Sequence, residues 1–189
     1  LPLMRGNKAG RSPFTYYLAQ LRQSFAKWSK DVSFRTHPSI DLILASTALP
    51  HNSRILCLGA RNRIEPDAWK ARGYHRVTAI DLLPSLGIIP MDFHRLLFAA
   101  DSFTLIYASH ALEHSWDAGR VAREIVRVLK PGGWLFAAFP IQFTPTDHDR
   151  YDFGSVEGFL KLFDFARLTR LWHRETPTEV AVLARLESK

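Results

Sequence analysis

The sequence predicts an α/β protein built on a doubly wound, mostly parallel seven-stranded sheet that ends in a C-terminal antiparallel hairpin. From residue 38 onward, short apolar segments typical of buried strands alternate with segments of helical period. This is the pattern of a parallel sheet covered by helices on both faces. The last two strand-like segments are joined only by Glu175-Thr176-Pro177-Thr178. Because so short a connection cannot cross over a sheet, these two strands must pair in antiparallel fashion.

The predicted elements follow one another without a linker, an internal repeat or a low-complexity segment. Helices are expected at residues 38–49, 65–72, 117–129 and 155–165. Strands are expected at residues 54–58, 76–81, 88–91, 103–108, 134–139, 168–174 and 179–186. Pro50-His51-Asn52-Ser53 ends the first of these helices, and Lys130-Pro131-Gly132-Gly133 ends the third, because proline and glycine interrupt regular structure.

The composition favours one globular domain in a reducing compartment. The 189 residues are 47% apolar and 23% charged, which is enough for one substantial core. The lone Cys57 cannot form an internal disulfide, and no apolar run approaches the ~20 residues that a membrane-spanning helix needs. We therefore expect a cytoplasmic protein, and we predict no metal site, since no paired cysteines support zinc.

Basic charge is concentrated in the first 37 residues, which carry seven basic side chains and one acidic one, against 18 and 17 in the remainder. After Ser12-Pro13, a helix is predicted with an apolar stripe of Phe14, Tyr17, Leu18, Leu21, Phe25 and Trp28. Such a helix could contact an anionic membrane, nucleic acid or another protein. The simpler interpretation, which we favour, is that residues 1–49 form basic amphipathic helices that pack their apolar stripe on a core domain of residues 50–189.

Polar residues follow the ends of four predicted strands, namely Gly59-Ala60-Arg61-Asn62-Arg63, Asp81, Asp92-Phe93 and Ser109-His110. In open parallel sheets, ligands bind beyond the carboxyl ends of the strands, where the strand order reverses. An acid that ends the second strand can accept hydrogen bonds from both hydroxyl groups of a ribose. A second carboxylate can accept one from an adenine amino group. The succession therefore predicts a ligand that contains adenosine.

Several of these segments together resemble the class I S-adenosylmethionine-dependent methyltransferases, especially their small single-domain members. "RILCLGA" is similar to the first motif of the family, and "VTAIDLLPS" is similar to its acidic second motif. "PMDFHRLLFAADSFTLIYASHALEHSWD" looks like the third and fourth strands with their connecting loop. "VAREIVRVLKPGGWLFAAFP" resembles the following helix, turn and fifth strand. The resemblance covers about residues 50 to 140.

The resemblance implies the class I methyltransferase fold, S-adenosylmethionine as the cofactor and a set of cofactor-binding residues. Asp81 and Leu82 would hold the ribose, and Asp92 with the backbone of Phe93 would contact the adenine. Gly59, Ala60, Arg61, Ser109 and His110 would surround the methionine part.

The first motif departs from the family pattern, because Cys57 stands where an acid is usual and Arg61 and Arg63 stand where glycines are usual. If Asn62 makes the turn in place of glycine, Arg61 can point inward and pair with the methionine carboxylate of the cofactor. Alternatively, the arginines point to solvent or fill the site, and cofactor binding is weak. The missing glycines also argue against a nicotinamide dinucleotide, whose pyrophosphate needs close approach of the backbone.

The expected reaction is methyl transfer from S-adenosylmethionine to an oxygen or nitrogen nucleophile of a small organic or sugar-containing acceptor. His110 and His148 are candidate catalytic bases, whereas His114 is expected to fix its loop by hydrogen bonds. The acceptor pocket is expected between the N-terminal helices, the loop from residue 81 to 92 and the segment 141–158, with aromatic walls from Phe14, Tyr16, Tyr17, Phe143, Tyr151 and Phe153.

One alternative of a different class stays open. The chain could be a non-catalytic binding module that uses its basic N-terminal arm to contact a partner or a membrane surface. Nucleic acid is not expected as a partner, because signatures such as Asn-Pro-Pro-Tyr are missing and the chain is short for an additional recognition domain. Titration with the cofactor separates the two classes.

Overall fold

The computed structural model describes residues 5–6, 13–27 and 29–188, and it confirms the predicted sheet. The helices are α1 (Pro13–Ala26), α2 (Ser33–Ser46), α3 (Ile64–Lys70), α4 (Ala118–Val128) and α5 (Val156–Leu160). The strands are β1 (Arg5–Gly6), β2 (Ile55–Leu58), β3 (Val77–Asp81), β4 (Ile89–Pro90), β5 (Phe103–Ser109), β6 (Leu129–Pro140), β7 (Tyr151–Asp152), β8 (Arg167–Glu175) and β9 (Glu179–Ser188).

Seven strands form one sheet in the order β4-β3-β2-β5-β6-β9-β8. The pairs from β4 to β6 are parallel, and β9 pairs antiparallel with both β6 and β8, as the short connection requires. The strand order reverses between β2 and β5. The loops that follow these two strands therefore flank the crevice in which this kind of sheet binds ligands.

Each face of the sheet is covered by its own apolar core. Alternate side chains of β2 point to opposite faces, so that Leu56 joins the core beneath α4 and α5, while Ile55 joins the core beneath α2 and α3. Trp69 of α3 and Ile40 of α2 are completely buried in the second core. This two-sided burial explains why the parallel strands read as continuous apolar segments in the sequence.

Most predicted boundaries agree with the observed ones within two residues, but two helices and one strand differ. β6 begins at Leu129 and not at residue 134, so that Lys130-Pro131-Gly132-Gly133 lies within the strand. α2 begins at Ser33 and not at Pro38, so that the proline lies inside the helix. An interior proline costs about 3 kcal/mol; here Ile40 and Ile43 of α2 are fully buried in the core, and the Thr36 hydroxyl donates to the carbonyl of Val32 at 2.9 Å. α5 ends at Leu160, and a 3₁₀ turn continues to Phe163.

The orientation predicted for α1 is wrong. Phe14 and Phe25 of the predicted stripe are 68% and 77% exposed, and Leu18 is also exposed. The opposite face, which includes Tyr16 and Gln20, is buried against the body instead. The capping residue Ser12 and the stripe residue Trp28 lie outside the described residues. The helix thus turns its polar face inward, which points to a site beneath it that needs polar groups.

The sequence also failed to indicate a small second sheet. β1 pairs antiparallel with β7, which joins Arg5 and Gly6 to Asp152 and Tyr151. Strands of two residues leave no periodic signal in a sequence, and this pair is formed by segments nearly 150 residues apart.

Candidate functional site

The turn after β2 explains why one glycine remains in the first motif. Gly59 has a φ of +68°, and a β-carbon at this residue would lie 2.7 Å from the β-carbon of Ala111. Arg61 follows with a φ of +36°, so the residue in the left-handed region is Arg61 and not Asn62, which was one of the two alternatives considered for this turn. Asn62 instead accepts a hydrogen bond from the backbone of Ile64 at 3.2 Å, at the start of α3.

The two arginines of this loop point in opposite directions. Arg63 is exposed and donates two hydrogen bonds of 3.1 Å to Asp67, one turn further along α3. Arg61 lines the cavity at the crevice, and its Nε is buried with no hydrogen-bond partner among the residues that the structure describes. Burial lowers the pKa of Arg61, and the nearby Asp81 carboxylate opposes that shift only in part. A partly buried guanidinium group with an unpaired N–H can bind an anionic group.

Asp81 ends β3 at the edge of the same cavity. One carboxylate oxygen accepts a hydrogen bond from the backbone of Arg61 at 3.2 Å, and the other accepts one from the backbone of Leu83 at 3.0 Å. These two bonds fix the orientation of the carboxylate. Because each carboxylate oxygen has a second lone pair, Asp81 can still accept from two further donors.

The carboxylate of Asp92 accepts three hydrogen bonds. Its Oδ2 accepts the Tyr17 hydroxyl of α1 at 2.6 Å, and its Oδ1 accepts both the backbone and the Nδ1 of His94 at 2.8 and 2.6 Å. Burial raises the pKa of Asp92, but the hydrogen bonds from His94 and Tyr17 outweigh it and lower the pKa overall. His94 Nε2 accepts the backbone N–H of Trp116 at 3.0 Å, which places the ring proton on Nδ1.

His110 lies at the centre of a charged group at the end of β5. It has a φ of +52°, an uncommon conformation for a residue other than glycine. Its Nε2 lies 3.2 Å from Glu179 Oε2, and its Nδ1 lies 3.8 Å from the buried Glu113. Arg174 holds the other oxygen of Glu179 at 3.1 Å. The hydrogen bond from His110 lowers the pKa of Glu179 despite burial.

Sequence reasoning missed the two acids beside His110. Glu179 is 69 residues away along the chain, and only the pairing of Pro140 with Glu179 in β6 and β9 brings it there. Glu113 is completely enclosed, and its Oε2 has no hydrogen-bond partner among the described residues. Ser109 Oγ is another buried atom with no partner there. Glu179 is the first residue of a predicted hairpin strand. This position of a carboxylate is the feature of the sequence by which Glu179 could have been found.

The histidines of the neighbouring loop are structural in this arrangement. His114 Nδ1 lies 3.0 Å from both Asp149 and the carbonyl of His148, which confirms the expected loop-fixing role. Burial lowers the pKa of His114, but the nearby Glu113 and Asp149 outweigh it and raise the pKa. His148 is not among the residues that line the cavities beside His110. Gln20 of α1 donates to the carbonyl of His148 at 2.8 Å.

His110 separates two cavities of opposite character. The first, which we call the cofactor cavity, lies between Gly59, Arg61, Asp81 and Phe93, and α1 covers it with Tyr16 and Gln20. It contains about 30 Å³ of free space. The second, which we call the α2 cleft, lies between α2 and the ends of β5, β6, β8 and β9 and has a volume of about 380 Å³. Of the aromatic residues expected around an acceptor, Phe153 is part of the core and Phe14 faces solvent.

Among the described residues, no group of three or more His, Cys, Asp or Glu side chains has the arrangement of a metal site. Within the same part of the chain, no helix is long and apolar enough to cross a membrane.

Known proteins of one class resemble this chain. Residues 56–137 match the family described as a methyltransferase domain. Over 104 residues, the chain is 30% identical to cycloartenol-C-24-methyltransferase of Arabidopsis thaliana; the match covers 54% of this chain but only 30% of that protein. The chain therefore spans less than a third of the length of this curated relative.

Solved structures agree on the fold. The structure of Burkholderia thailandensis 1,6-didemethyltoxoflavin-N1-methyltransferase, with 1,6-didemethyltoxoflavin and S-adenosylhomocysteine bound, superposes with a TM-score of 0.71 at 18% identity, over 97% of this chain and 94% of that one. The [4+2]-cyclase SpnF superposes with a TM-score of 0.65, also at 18% identity, over 81% and 82%. The second similarity shows that this fold also occurs in a cyclase, so the fold alone does not define a reaction.

The sheet has the order of the class I methyltransferase fold, and residues 56–137, somewhat less than half of the chain, match a methyltransferase domain. Together these findings support an S-adenosylmethionine-dependent methyltransferase with S-adenosylmethionine as the cofactor.

Proposed function

We propose that the protein transfers a methyl group from S-adenosylmethionine to an oxygen or nitrogen nucleophile of a small organic acceptor, with His110 as the base. The observation that carries this proposal is the position of His110, which lines both the cofactor cavity and the α2 cleft. A base at the boundary between a cofactor and an acceptor can take the acceptor proton during the transfer.

The residues of the cofactor cavity fit S-adenosylmethionine. Asp81 offers free lone pairs for the ribose hydroxyls, and Leu82 lines the cavity beside it. Gly59 and Ala60 form the close turn, and the unpaired Nε of Arg61 suits the methionine carboxylate. Ser109, which we expected beside the methionine part, lines the α2 cleft and not the cofactor cavity.

Asp92 and Phe93 remain our candidates for the adenine. Phe93 lines the cofactor cavity directly. Asp92 Oδ2 already accepts the Tyr17 hydroxyl and has one more lone pair for an amino group. Tyr17 therefore links α1 to the residue that would recognise the adenine.

α1 must move before the cofactor can enter. The free space of about 30 Å³ in the cofactor cavity corresponds to about one water molecule. Tyr16 and Gln20 of α1 occupy one side of the cavity, and Arg61 occupies another. Displacement of α1 is the change that opens the cavity without disturbing the sheet.

When bound, S-adenosylmethionine supplies an activated methyl group: a lone pair of the acceptor forms the new bond to carbon, and the electron pair of the broken sulfur–carbon bond stays on sulfur. The Nε2–H of His110 donates to Glu179, which leaves Nδ1 free to take the acceptor proton. Glu179 and Glu113 lie on either side of the ring and stabilise the imidazolium that results. Arg174 fixes Glu179 in turn.

The test compares His110→Asn with His75→Asn, which changes an exposed histidine far from the cavities. Each variant is incubated with S-adenosylmethionine and a mixture of phenols, heteroaromatic amines and sugars, and the products are followed by mass spectrometry. We expect His110→Asn to lose 10²- to 10⁴-fold in rate, far more than it loses in affinity for S-adenosylhomocysteine. Equal rates in the two variants would exclude His110 as the base, and no methylated product from the wild type would contradict methyl transfer to these classes.

A second proposal concerns the outer face of α1. We infer that this face binds an anionic membrane surface. Phe14, Leu18 and Phe25 form an exposed apolar stripe, and the exposed Arg22 lies beside it. The first 37 residues carry an excess of six positive charges. Apolar side chains flanked by basic ones are the combination that binds the surface of an anionic bilayer.

Sedimentation with lipid vesicles tests this second proposal. We expect the protein to bind vesicles that contain phosphatidylglycerol more strongly than pure phosphatidylcholine vesicles, with binding that weakens as salt is added. Phe14→Ser combined with Phe25→Ser should reduce binding severalfold, while Phe165→Ser, which changes an exposed phenylalanine elsewhere, should not. Equal binding by both variants, or none by the wild type, would reject the proposal.

A further inference from the structure

We propose that the α2 cleft is the acceptor site and that it accepts a planar aromatic molecule with an acidic hydroxyl or ring N–H group. The inference rests on the proposed methyl transfer, because it assigns the acceptor of that reaction. It replaces the expected pocket, which included the loop from residue 81 to 92 and the segment 141–158. Of the elements expected there, only α2 lines the cleft.

About half of the residues that line the cleft are apolar, and they include aromatic side chains. Phe34 of α2 and Trp172 of β8 have accessible ring surface, whereas Phe136 of β6 lies beneath the cleft and is completely buried. Phe136 is fixed because it stacks on Tyr107 with ring centres 5.1 Å apart and planes 12° apart. The volume of about 380 Å³ is within the range of small-molecule sites. Rigid ring faces of this kind favour a flat ligand over a saturated one of equal size.

Phe34 is an exposed aromatic side chain whose position is not accounted for by packing in the core. It is 71% exposed, so that it contributes little to the core, yet it lies at the opening of the cleft. A bound ring would cover it and remove its apolar surface from water.

The charged groups of the cleft favour an acceptor with acidic character. His110 lines both this cleft and the cofactor cavity, Glu179 lies beside it, and Ser39 and Ser109 also line the cleft. Arg35 of α2 also lines the cleft, and its Nε is buried with no partner in the described part of the chain. Arg35 and Arg174 against Glu179 leave an excess of positive charge, which stabilises the anion that forms as the acceptor loses its proton.

This distribution argues against a sugar as the acceptor. A sugar carries hydroxyl groups around its whole ring, and each buried hydroxyl without a partner costs free energy. Phe34 and Trp172 offer ring surface where a sugar would need hydrogen bonds. The acceptor class therefore narrows to aromatic phenols and heteroaromatic N–H compounds.

The test uses 6-hydroxy-2-naphthoate as a planar probe and its decahydro analogue, which has the same hydroxyl and carboxylate but no aromatic ring. Both are titrated by calorimetry into protein saturated with S-adenosylhomocysteine. We expect the planar probe to bind at least tenfold more tightly than the analogue. Phe34→Ala and Trp172→Ala should each weaken its binding about tenfold and leave the affinity for S-adenosylhomocysteine unchanged. Phe25→Ala, which removes a 77% exposed phenylalanine from α1, is the matched control.

The possible outcomes distinguish failure of the proposed acceptor site from failure of the proposed methyl transfer. If S-adenosylhomocysteine does not bind, both the proposed function and the inference are overturned. If it binds but the planar probe does not, or binds the Phe34→Ala and Trp172→Ala variants as tightly as the wild type, only the inference is overturned. Because Phe34 is mostly exposed, its loss does not endanger folding and the comparison stays interpretable.

Discussion

The cofactor cavity and the α2 cleft share His110 but differ in every other respect. The cofactor cavity contains buried charges, lies beneath α1 and has about 30 Å³ of free space. The α2 cleft is partly aromatic and has about 380 Å³ of free space. If the proposed assignments hold, the difference means that the acceptor half of the site is open in this structure, whereas the cofactor half depends on a displacement of α1. The stability of α1 against the body should therefore control cofactor binding and leave the acceptor cleft untouched.

We expect the largest effect from Gly59→Ala, which changes the turn that lines the cofactor cavity. An alanine at the φ of +68° costs about 1–2 kcal/mol, and its β-carbon would meet Ala111 at 2.7 Å, which adds overpacking of a similar size. We expect the free energy of unfolding to fall by about 3 kcal/mol and binding of S-adenosylhomocysteine to become undetectable by calorimetry.

Gly132→Ala is the matched control for this change. Gly132 has a φ of +76°, but the nearest atom to an added β-carbon is the flexible end of Arg185 at 3.5 Å. Only the conformational cost of about 1–2 kcal/mol should remain. Equal losses of stability in the two variants would show that the contact with Ala111 does not shape the turn.

A buried carboxyl beneath the cofactor cavity should give a pH dependence that Glu65→Gln removes. Burial raises the pKa of Glu65 to about 8, although Arg35 and Arg61 lie close enough to oppose it. Between pH 4.5 and 8 the folded state keeps a proton that the unfolded chain has lost. The free energy of unfolding should therefore fall as the pH rises through this window, by about 1.4 kcal/mol per unit.

Thermal or urea denaturation at several pH values checks this expectation. Glu65→Gln should show a flatter profile and should exceed the wild type in stability at pH 8. Asp67→Asn, which changes a half-exposed acid of the same helix, should leave the slope unchanged. Parallel profiles for the wild type and Glu65→Gln would mean that Glu65 is ionised in the folded protein.

We expect the smallest effect from a change in α1, the helix that covers the cofactor cavity. Gln20 donates to the carbonyls of His148 at 2.8 Å and of His114 at 3.4 Å, and its loss should weaken the closed position of α1 by about 1 kcal/mol. Stopped-flow measurements should show S-adenosylhomocysteine associating severalfold faster with Gln20→Ala. Arg22→Ala, on the outer side of the same helix, should associate like the wild type. An unchanged rate in Gln20→Ala would mean that the cofactor enters without a movement of α1.

The parts of the fold that the sequence predicted are those with a local signal. Strand periodicity, the Pro-Gly-Gly turn and the short hairpin connection located nearly all strands of the main sheet, because each depends on neighbouring residues. The orientation of α1 had no such signal. Its apolar stripe predicts an inward face for Phe14 and Phe25, but the polar cavity beneath α1 takes Tyr16 and Gln20 instead.

The site was predicted only where its residues come from strand ends. Asp81 and His110 follow from that rule, whereas Glu179, Glu113 and His94 depend on strand register and on the packing of distant loops. Arg61 could not be oriented from sequence, since its side chain direction depends on a backbone φ that arginine seldom adopts.

The central claim is that the atypical first motif still binds the cofactor and that Arg61 replaces the missing glycine amides. Calorimetry with S-adenosylhomocysteine on Arg61→Ala and on Arg63→Ala tests it most directly, because the two arginines differ in direction but not in chemistry. We predict that Arg61→Ala loses about 10- to 100-fold in affinity, the value of a charge-assisted hydrogen bond, and that Arg63→Ala binds like the wild type. Equal affinities in the wild type and Arg61→Ala would contradict the claim.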